Sequence, residues 1–550
     1  MPENYHYLRI RLRFEQIRLL KWGEQIGLAE DVLGRTSQAL SLNRNIIIDI
    51  LFEIQAAFRK CAKVQETYED LAPEEFQPLT RSVEDINNGF SKGTNAFSKR
   101  LMQLVEKGPE ATKRLRWAAI DHMKFTSLVD RLITLNHSIE GLLDRQTIRT
   151  LQSEQHETYL VMLQLSSKFD DLTAMCSAMN IKPQEKSSLL KGRSSDPTEG
   201  ATPNFEEGNQ TILRLVNFKS ERLALEASFR APEITPIDTA DICFKASDGT
   251  RTEAVYRRMP VFIEWKKYVI DPNPHSNWNA MIEDRIKKLV MLLSSDHNPP
   301  EFRSPHCLGY FNDPEEDQYR YGIVYNKPAN VSPNAKAVSL LDLIVVGTKP
   351  SLTARIKLAH AVASSLLYLH AVDWLHKSLR SDSIIFFTVP GEEPDLMNPT
   401  LAGFDYARPD RAGEQTDPPP EDAEHDLYRN SELQNRATAR SKKAYDVYSL
   451  GIVMIEIAHW KRIDDIIKLP NDPKAARRVL RNLHTILLRD DVRREVEAAS
   501  GDGYYAAVKT CLTINEQMDD HRGDEEGISG AELLKVFMEQ VVNRLGSLRS

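Results

Sequence analysis

The chain has 550 residues, of which 41% are hydrophobic and 27% charged, and this balance excludes a wholly disordered protein. With 71 Lys and Arg against 79 Asp and Glu, its net charge is -8, which argues against a general nucleic-acid binder. The length is a soft indication of roughly three or four domains of ordinary size.

No targeting or membrane-spanning segment is visible in the sequence. Three arginines, Arg9, Arg11 and Arg13, interrupt the start of the chain where a signal peptide needs an apolar run. The cysteines are odd in number and none has metal-ligand or redox spacing, so five free thiols in a reducing compartment are expected. We therefore predict a cytoplasmic protein without a metal site.

The first part of the chain, 1–180, is predicted to be an all-α helical bundle. Leu8, Leu12, Leu19 and Trp22 recur at helical spacing. Further amphipathic runs are predicted at 38–70, 95–106, 112–145 and 150–179. Because segments rich in Pro, Gly and Asn separate some of these runs, an antiparallel bundle is the simplest arrangement.

A change of composition follows the bundle. Residues 182–209 are rich in Ser, Pro, Gly and charge and nearly lack aromatic residues, which predicts a flexible linker. We place the linker at 181–230 and a second folded region at 231–550.

The second region is predicted to be an α+β domain with two lobes. Short strand-like runs come first, and Asp248-Gly249 between two of them is typical of a hairpin turn. A helix is predicted at 279–293, two further strands follow it, and the chain is mainly helical from 351. Strands first and helices later favour the two-lobed arrangement.

Three segments of this region carry a recognisable pattern. They are LLYLHAVDWLHKSLRSDSIIFF at 366–387, LAGFDYARP at 401–409 and AYDVYSLGIVMIEIAHW at 444–460. In this order, after a small β-rich lobe, they resemble a protein kinase domain over about 234–545. The resemblance implies that Asp446 holds the backbone of the catalytic loop and that Glu432 pairs with a buried arginine.

The catalytic positions of the kinase pattern are replaced. In H-R-D-L-x-x-x-N the Asp is the catalytic base and the Asn a magnesium ligand, and these positions hold Ser378 and Ser383. The magnesium-binding Asp of D-F-G aligns with Gly403. Asp382 and Asp405 are the nearest substitute carboxylates, and we interpret Asp405 as a surface or capping residue. The resemblance therefore implies a pseudokinase with no catalytic residues.

The nucleotide-facing strands also depart from the kinase pattern. Residues 234–262 contain one glycine, so the glycine-rich phosphate cradle is absent or rebuilt. The third-strand lysine aligns with Glu264 or, after a shift of two residues, with Lys266. If a nucleotide binds, its contacts are predicted to be Lys266, Glu283 and Arg380, and the expected cofactor is ATP without strong magnesium dependence.

The N-terminal region resembles a second family. LRIRLRFEQIRLLKWGEQIGL at 8–28 and KRLRWAAIDHMKFTSLVDRLITLNHSIEGLL at 113–143 are similar to the HeLo domain of fungal prion-forming incompatibility proteins, over about 5–145. That family implies a membrane-perturbing cell-death effector. Its apolar N-terminal segment has no counterpart in MPENYHY, which puts membrane activity in doubt, and contact with anionic lipid is the alternative to a solvated face for Lys113, Arg114 and Arg116.

The leading hypothesis from these resemblances is a signalling protein in which a pseudokinase controls a HeLo-like module linked to incompatibility or programmed cell death. Its architecture resembles that of mixed-lineage-kinase-domain-like necroptosis effectors. The expected partners are proteins, or further copies bound through the bundle, with recruitment to the plasma membrane as a further expectation. Two alternatives stay open: a divergent active kinase that uses Asp382 or Asp405, and an interaction scaffold that binds neither nucleotide nor membrane.

Overall fold

In a computed structural model, the chain divides into two compact units, 1–216 and 217–550. The residues that the structure describes are 11–12, 15–16, 18–19, 22, 44–68, 122–140, 156–166, 171–172, 175, 203–227, 234–247, 251–268, 278–295, 298–315, 318–328, 331–389, 391–404, 407–409, 423–430, 442–519 and 526–549.

The N-terminal unit is helical in its described residues. Helix α1 is Arg44–Tyr68, helix α2 is His122–Glu140, and 156–165 is also helical. The described positions between 11 and 22 are helical too, and the predicted Leu12, Leu19 and Trp22 are buried there. These three side chains pack in one core with residues of α1 and α2, among them Phe58 and Phe125. Leu8 and the basic residues Lys113, Arg114 and Arg116 lie outside the described residues.

A buried polar network joins the N-terminal helix to α2. The amide of Asn136, which is 1% exposed, donates to a carboxylate oxygen of Glu15 at 2.7 Å. Arg18 donates to the same carboxylate at 3.2 Å, and Arg11 pairs with Asp130 at 2.7 Å. Because buried polar groups are costly unless they are paired, this network fixes the register between the two helices.

Helix α3, Pro203–Ala227, lies in the predicted linker. The structure differs from the expected flexible segment from Pro203 onward. The residues after 216 belong to the C-terminal unit, in which Phe218 packs edge-on against Phe302 with ring centroids 5.0 Å apart. Lys219 is fully buried in the same unit.

A five-stranded antiparallel sheet with the order β1-β2-β3-β5-β4 begins the C-terminal unit. Its strands are β1 (Ile242–Ser247), β2 (Arg251–Tyr256), β3 (Met259–Tyr268), β4 (Cys307–Glu315) and β5 (Gln318–Asn326). The predicted hairpin is present as the antiparallel pair of β1 and β2, while its turn residues Asp248 and Gly249 lie outside the described residues. Helix α4, Trp278–Leu293, separates β3 from β4, close to the predicted helix at 279–293.

Side-chain alternation gives this sheet two faces. Burial alternates along β2, and the central run Val261, Phe262 and Ile263 of β3 is fully buried, as expected for a central strand. Val261 and Ile263 pack with Phe311 and Val324 in a core on one face. The opposite face carries Glu264 and its cross-strand neighbour Arg251.

The rest of the unit is mainly helical, with two small sheets. The order β6-β8-β9 is formed by Lys336–Ser339, Ile384–Thr388 and Thr400–Leu401, and β7 (Trp374–Leu375) pairs with β10 (Arg408–Pro409). The helices are α5 (Leu340–Val346), α6 (Leu352–Ala371), α7 (Ala423–Asp426), α8 (Lys443–His459), α9 (Ile463–Ile467), α10 (Pro473–Arg481), α11 (Leu483–Leu487), α12 (Asp490–Ser500), α13 (Asp502–Asp519), α14 (Glu526–Phe537) and α15 (Asn543–Ser547). A π-helical segment, Met538–Val542, joins the last two.

Helix α8 is the centre of the helical part. Every residue from Ile452 to Ala458 is buried, including Glu456, which explains why this segment is apolar on all sides. In the part of the chain that the structure describes, no helix is both long and apolar enough to cross a membrane. The architecture is thus a helical N-terminal unit followed by a unit of antiparallel sheets and helices.

Candidate functional site

The segments that carry the kinase resemblance meet in the structure. Asp446, near the start of α8, accepts hydrogen bonds from the backbone N–H groups of His376 and Lys377, each at 2.8 Å. His370, at the end of α6, lies 3.3 Å from the same carboxylate. Asp446 therefore holds the backbone of the loop after β7, which is the structural role that the sequence predicts.

His376 connects this loop to the segment after β9. Its Nε2 lies 2.9 Å from the carbonyl oxygen of Ala402, and its ring packs against Phe404 with centroids 4.8 Å apart. Burial lowers the pKa of His376 to about 4. The imidazole is therefore neutral at physiological pH, and its Nε2–H donates to Ala402 while Nδ1 accepts from the backbone of Ser378 at 3.3 Å.

The three replaced catalytic positions come together at this point. A Cβ placed on Gly403 would lie 3.1 Å from Cβ of Ser383 and 3.9 Å from the carbonyl oxygen of Ser378. The hydroxyl of Ser383 donates to the carbonyl of Arg380 at 2.8 Å and accepts from its N–H at 2.9 Å. The Ser383 hydroxyl therefore makes its hydrogen bonds within its own turn. At the positions where the kinase pattern predicts a catalytic Asp and an Asn, this chain carries Ser378 and Ser383.

Glu264 closes the site from the sheet. It lies directly opposite Arg251 in the register of β2 and β3, and the two side chains form an ion pair at 2.9 Å. Its Oε2 also accepts the backbone N–H of Gly403 at 3.0 Å. If Glu264 is aligned directly with the third-strand lysine, this hydrogen bond joins the lysine position of the kinase pattern to Gly403, which aligns with the D-F-G aspartate.

The three predicted nucleotide contacts lie on β3, on α4 and in the loop before β8. Lys266 is buried on β3, two residues beyond Glu264 and opposite Tyr321 of β5. Glu283 is on α4 and pairs with Lys287 of the same helix at 2.8 Å. Arg380 forms a two-pronged ion pair with Asp382, at 2.8 and 2.9 Å.

The structure describes only one of the two substitute carboxylates, Asp382 and Asp405. Asp382 is neutralised by Arg380, while Asp405 lies outside the described residues. Within the described ranges, no group of three or more His, Cys, Asp or Glu side chains is placed to hold a metal ion.

Aromatic rings fill the space between β3 and β8. Phe262 stacks on Tyr325 of β5 with centroids 5.3 Å apart and contacts Phe387 of β8 at 5.6 Å. Phe262 and Tyr325 are both fully buried. The large sheet and the small β6-β8-β9 sheet are therefore joined by ring packing at this place.

A buried carboxylate beside the loop, Glu456, was assigned no role from the sequence. Glu456 accepts hydrogen bonds from the hydroxyls of Ser381 and Tyr428, the latter at 2.9 Å, and from the N–H of Ile463 at 2.8 Å. Burial raises its pKa to about 7. The signal was present as one acidic residue in the apolar run 448–460, where a carboxylate is rarely buried without partners.

Comparison with known proteins separates the two ends of the chain. Residues 1–175 match the sequence model of the HeLo family, described as prion-inhibition and propagation. Residues 316–548 match that of a domain of unknown function, DUF7580. No curated protein matches the chain. The first match supports the HeLo resemblance and suggests a regulatory role related to fungal incompatibility or cell death, whereas the second description names no activity and leaves the kinase resemblance a prediction.

Proposed function

We propose that this chain is a regulatory protein in which a kinase-like C-terminal unit, without phosphoryl-transfer activity, controls a HeLo-like helical unit that acts in fungal incompatibility or programmed cell death. The observation that carries the proposal is the bond from Gly403 N–H to Glu264, because it joins two positions that in a kinase both face the nucleotide phosphates and metal.

The strand and helix order supports the kinase-like part. A kinase carries its lysine on the third strand and the partner glutamate on the helix that follows, and here β3 is followed by α4. The contacts of Asp446 with the loop backbone and of His376 with Phe404 support it as well. These are residues that hold a fold together, and their geometry does not depend on catalysis.

The chemistry of the site supports the loss of transfer. Phosphoryl transfer needs cations to neutralise the phosphates and a base to accept the hydroxyl proton. The buried carboxylate of Glu264 adds negative charge where phosphates would lie, and Arg251 is already paired with it. Ser378 is no proton acceptor at neutral pH, and the one described substitute, Asp382, is bound to Arg380.

Regulation in this proposal acts through the Glu264–Gly403 contact. It links the large sheet to the segment that begins at β9, so a partner, a modification or a nucleotide that breaks it changes how the two parts of the unit pack. The expected partners are proteins or further copies of the chain, bound through the helical bundle.

The test uses the full chain and measures its thermal unfolding with ATP, with and without magnesium, beside a transfer assay with radiolabelled ATP. We expect no transfer and no magnesium-dependent shift, since the metal positions lack carboxylates. Magnesium-dependent transfer that Asp382→Ala abolishes would overturn the proposal in favour of the divergent enzyme.

The regulatory part is tested in fungal cells that express the chain. Glu264→Ala removes the contact with Gly403, and we expect it to change cell viability relative to the wild-type chain. Asp284→Ala, which breaks the ion pair with Lys288 of α4 at 2.8 Å, is the matched control and is expected to behave like the wild type. If neither variant changes viability while both accumulate as folded protein, the C-terminal unit does not control the N-terminal one through this contact.

A further inference from the structure

Three elements of the C-terminal unit bring a group of basic side chains together, and none of these residues belongs to the site described above. Arg303 follows the short 3-10 turn Pro300–Phe302, His360 is on α6, and Arg549 lies two residues beyond α15. An Nη atom of Arg549 donates to Nδ1 of His360 at 3.0 Å. Arg303 donates to the carbonyl oxygen of Met397 over a long 3.5 Å.

The imidazole of His360 is neutral in this arrangement. Burial and the charges of Arg549 and Arg303 lower the pKa of His360 to about 4. A guanidinium has only donors, so Nδ1 of His360 is the acceptor and its proton is on Nε2. The group therefore presents two permanent cations and one neutral imidazole that carries an N–H.

Neither guanidinium of this group pairs with a carboxylate among the residues that the structure describes. The charge of Asp395 raises the pKa of Arg303, but its carboxylate oxygens accept hydrogen bonds from the N–H of Met397 at 2.9 Å and the amide of Asn398 at 2.6 Å. Burial and the nearby charge of Arg549 both lower the pKa of Arg303, which means that the two guanidinium groups repel each other.

We propose that Arg303, Arg549 and His360 form a binding site for a phosphate dianion, either free or as the phosphate ester of a serine. Each guanidinium has five N–H donors in a fork that fits phosphate oxygens, and in this group each has a single hydrogen bond. A dianion matches two cations, whereas a carboxylate neutralises only one.

The site is open to a ligand from solution and would act on the packing of the unit. Arg549 is exposed, and Arg303 and His360 are half-buried. A bound phosphate would connect Arg549, which follows α15, with α6 and with the turn that leads into β4. The ligand would thus stabilise the contacts of α15 in addition to relieving the repulsion between the two arginines.

The experiment measures binding of inorganic phosphate and of O-phosphoserine to the full chain by calorimetry at low ionic strength, with acetate as the monoanion control. We expect Arg303→Gln and Arg549→Gln each to weaken binding about tenfold or more, since each removes a charge-assisted contact. Arg544→Gln is the matched control, because Arg544 lies on α15 and bonds only a backbone carbonyl of its own helical segment.

Different results of this experiment support or overturn the phosphate site. Binding of phosphate or of phosphoserine that is lost in the first two variants and kept in the control supports the site. Binding of neither anion, equal binding of acetate, or an equal loss in Arg544→Gln would overturn it. Thermal unfolding of each variant without phosphate shows whether it folds, and because Arg549 is exposed, its variant is the one on which the conclusion rests.

Discussion

Gly403 is the residue at which the candidate site depends most on the absence of a side chain. Its φ of +77° lies in the left-handed region, and a Cβ would come within 3.1 Å of Cβ of Ser383. Its N–H must also point at Glu264 for the hydrogen bond to form. A glycine at this position therefore allows both the left-handed backbone and the hydrogen bond to Glu264.

Gly403→Ala is expected to destabilise the C-terminal unit by about 1–3 kcal/mol, because the residue meets both a left-handed backbone and a close neighbour. Urea unfolding followed by tryptophan fluorescence measures the loss. Gly391→Ala is the control, since Gly391 also has a positive φ of +95° but open space around its Cβ position. A loss at Gly391 as large as that at Gly403 would show that the contact with Ser383 has no effect.

Glu456 makes stability depend on pH in a predictable direction. Burial raises its pKa from 4.5 to about 7, so between these values the folded chain binds a proton that the unfolded chain has released. The stability that this proton provides is present below pH 4.5 and is lost as the pH rises through 7.

Glu456→Gln should therefore remove this loss of folding stability at rising pH. A rise in pKa of this size is worth at most about 3 kcal/mol, and the glutamine oxygen still accepts from Tyr428 and from the backbone of Ile463. We expect the variant to gain stability over the wild type between pH 5 and about 8 in urea titrations. Glu495→Gln changes an exposed carboxylate and should leave the wild-type pH profile as it is; an unchanged profile in Glu456→Gln would contradict the assignment.

At the scale of elements, the end of α3 is fixed by one carboxylate. Asp373, in the turn between α6 and β7, pairs with Lys219 of α3 at 2.6 Å and with Lys443 of α8 at 2.7 Å. Burial raises the pKa of Asp373, but the charges of Lys219 and Lys443 outweigh this and hold it far below its usual range. Both lysines are buried, so this ion cluster joins three elements within the C-terminal unit.

Asp373→Asn removes the carboxylate that pairs with two buried ammonium groups, those of Lys219 and Lys443. We expect a loss of about 3 kcal/mol or more in urea unfolding, which is typical when one partner of a buried pair is removed. Asp491→Asn is the control, because Asp491 pairs with Arg489 on the surface and should change stability little. If Asp373→Asn were as stable as the control, the end of α3 would be held by apolar contacts such as those of Phe218 alone.

Some of these elements could be predicted from the sequence and others could not. The strands β1 to β5 and helix α4 follow from strand-like runs, helical periodicity and turn residues. Burial alternates along β2, whereas the centre of β3 is buried on both faces. Helix α3 was not predicted, because the polar composition around it indicated a linker. Phe218 and Lys219, which fix the helix, contact Phe302 and Asp373, each more than 80 positions away in the chain. Composition within a short window does not contain that information.

At the scale of the whole molecule, the kinase pattern assigns Ser378, Ser383 and Gly403 to one site. In the structure Gly403 lies beside Ser383 and near the carbonyl oxygen of Ser378. The choice between Glu264 and Lys266 depended on a two-residue shift, and both residues lie on the same face of β3, so alternation does not separate them. The hydrogen bond from Gly403 to Glu264 joins residues 139 positions apart in the chain, so no local sequence pattern could predict it.

The cysteines give each unit its own reporter of unfolding. Cys61 is buried in the N-terminal unit, whereas Cys307 and Cys511 are buried in the C-terminal unit and Cys243 is exposed. Burial raises the pKa of Cys61 and of Cys307 to about 12, and it raises that of Cys511 as well. Because the thiolate is the reactive form, these three thiols should react only after the surrounding structure opens.

Pulsed alkylation along a urea gradient, read by mass spectrometry, should therefore label Cys243 first among the four cysteines that the structure describes. Cys307 and Cys511 should follow together at one urea concentration, and Cys61 should report separately on the N-terminal unit. In Asp373→Asn we expect the midpoints of Cys307 and Cys511 to move to lower urea while that of Cys61 stays in place. A joint shift of all three would mean that the two units unfold as one cooperative system, so that a change in the C-terminal unit alters the stability of the helical unit directly.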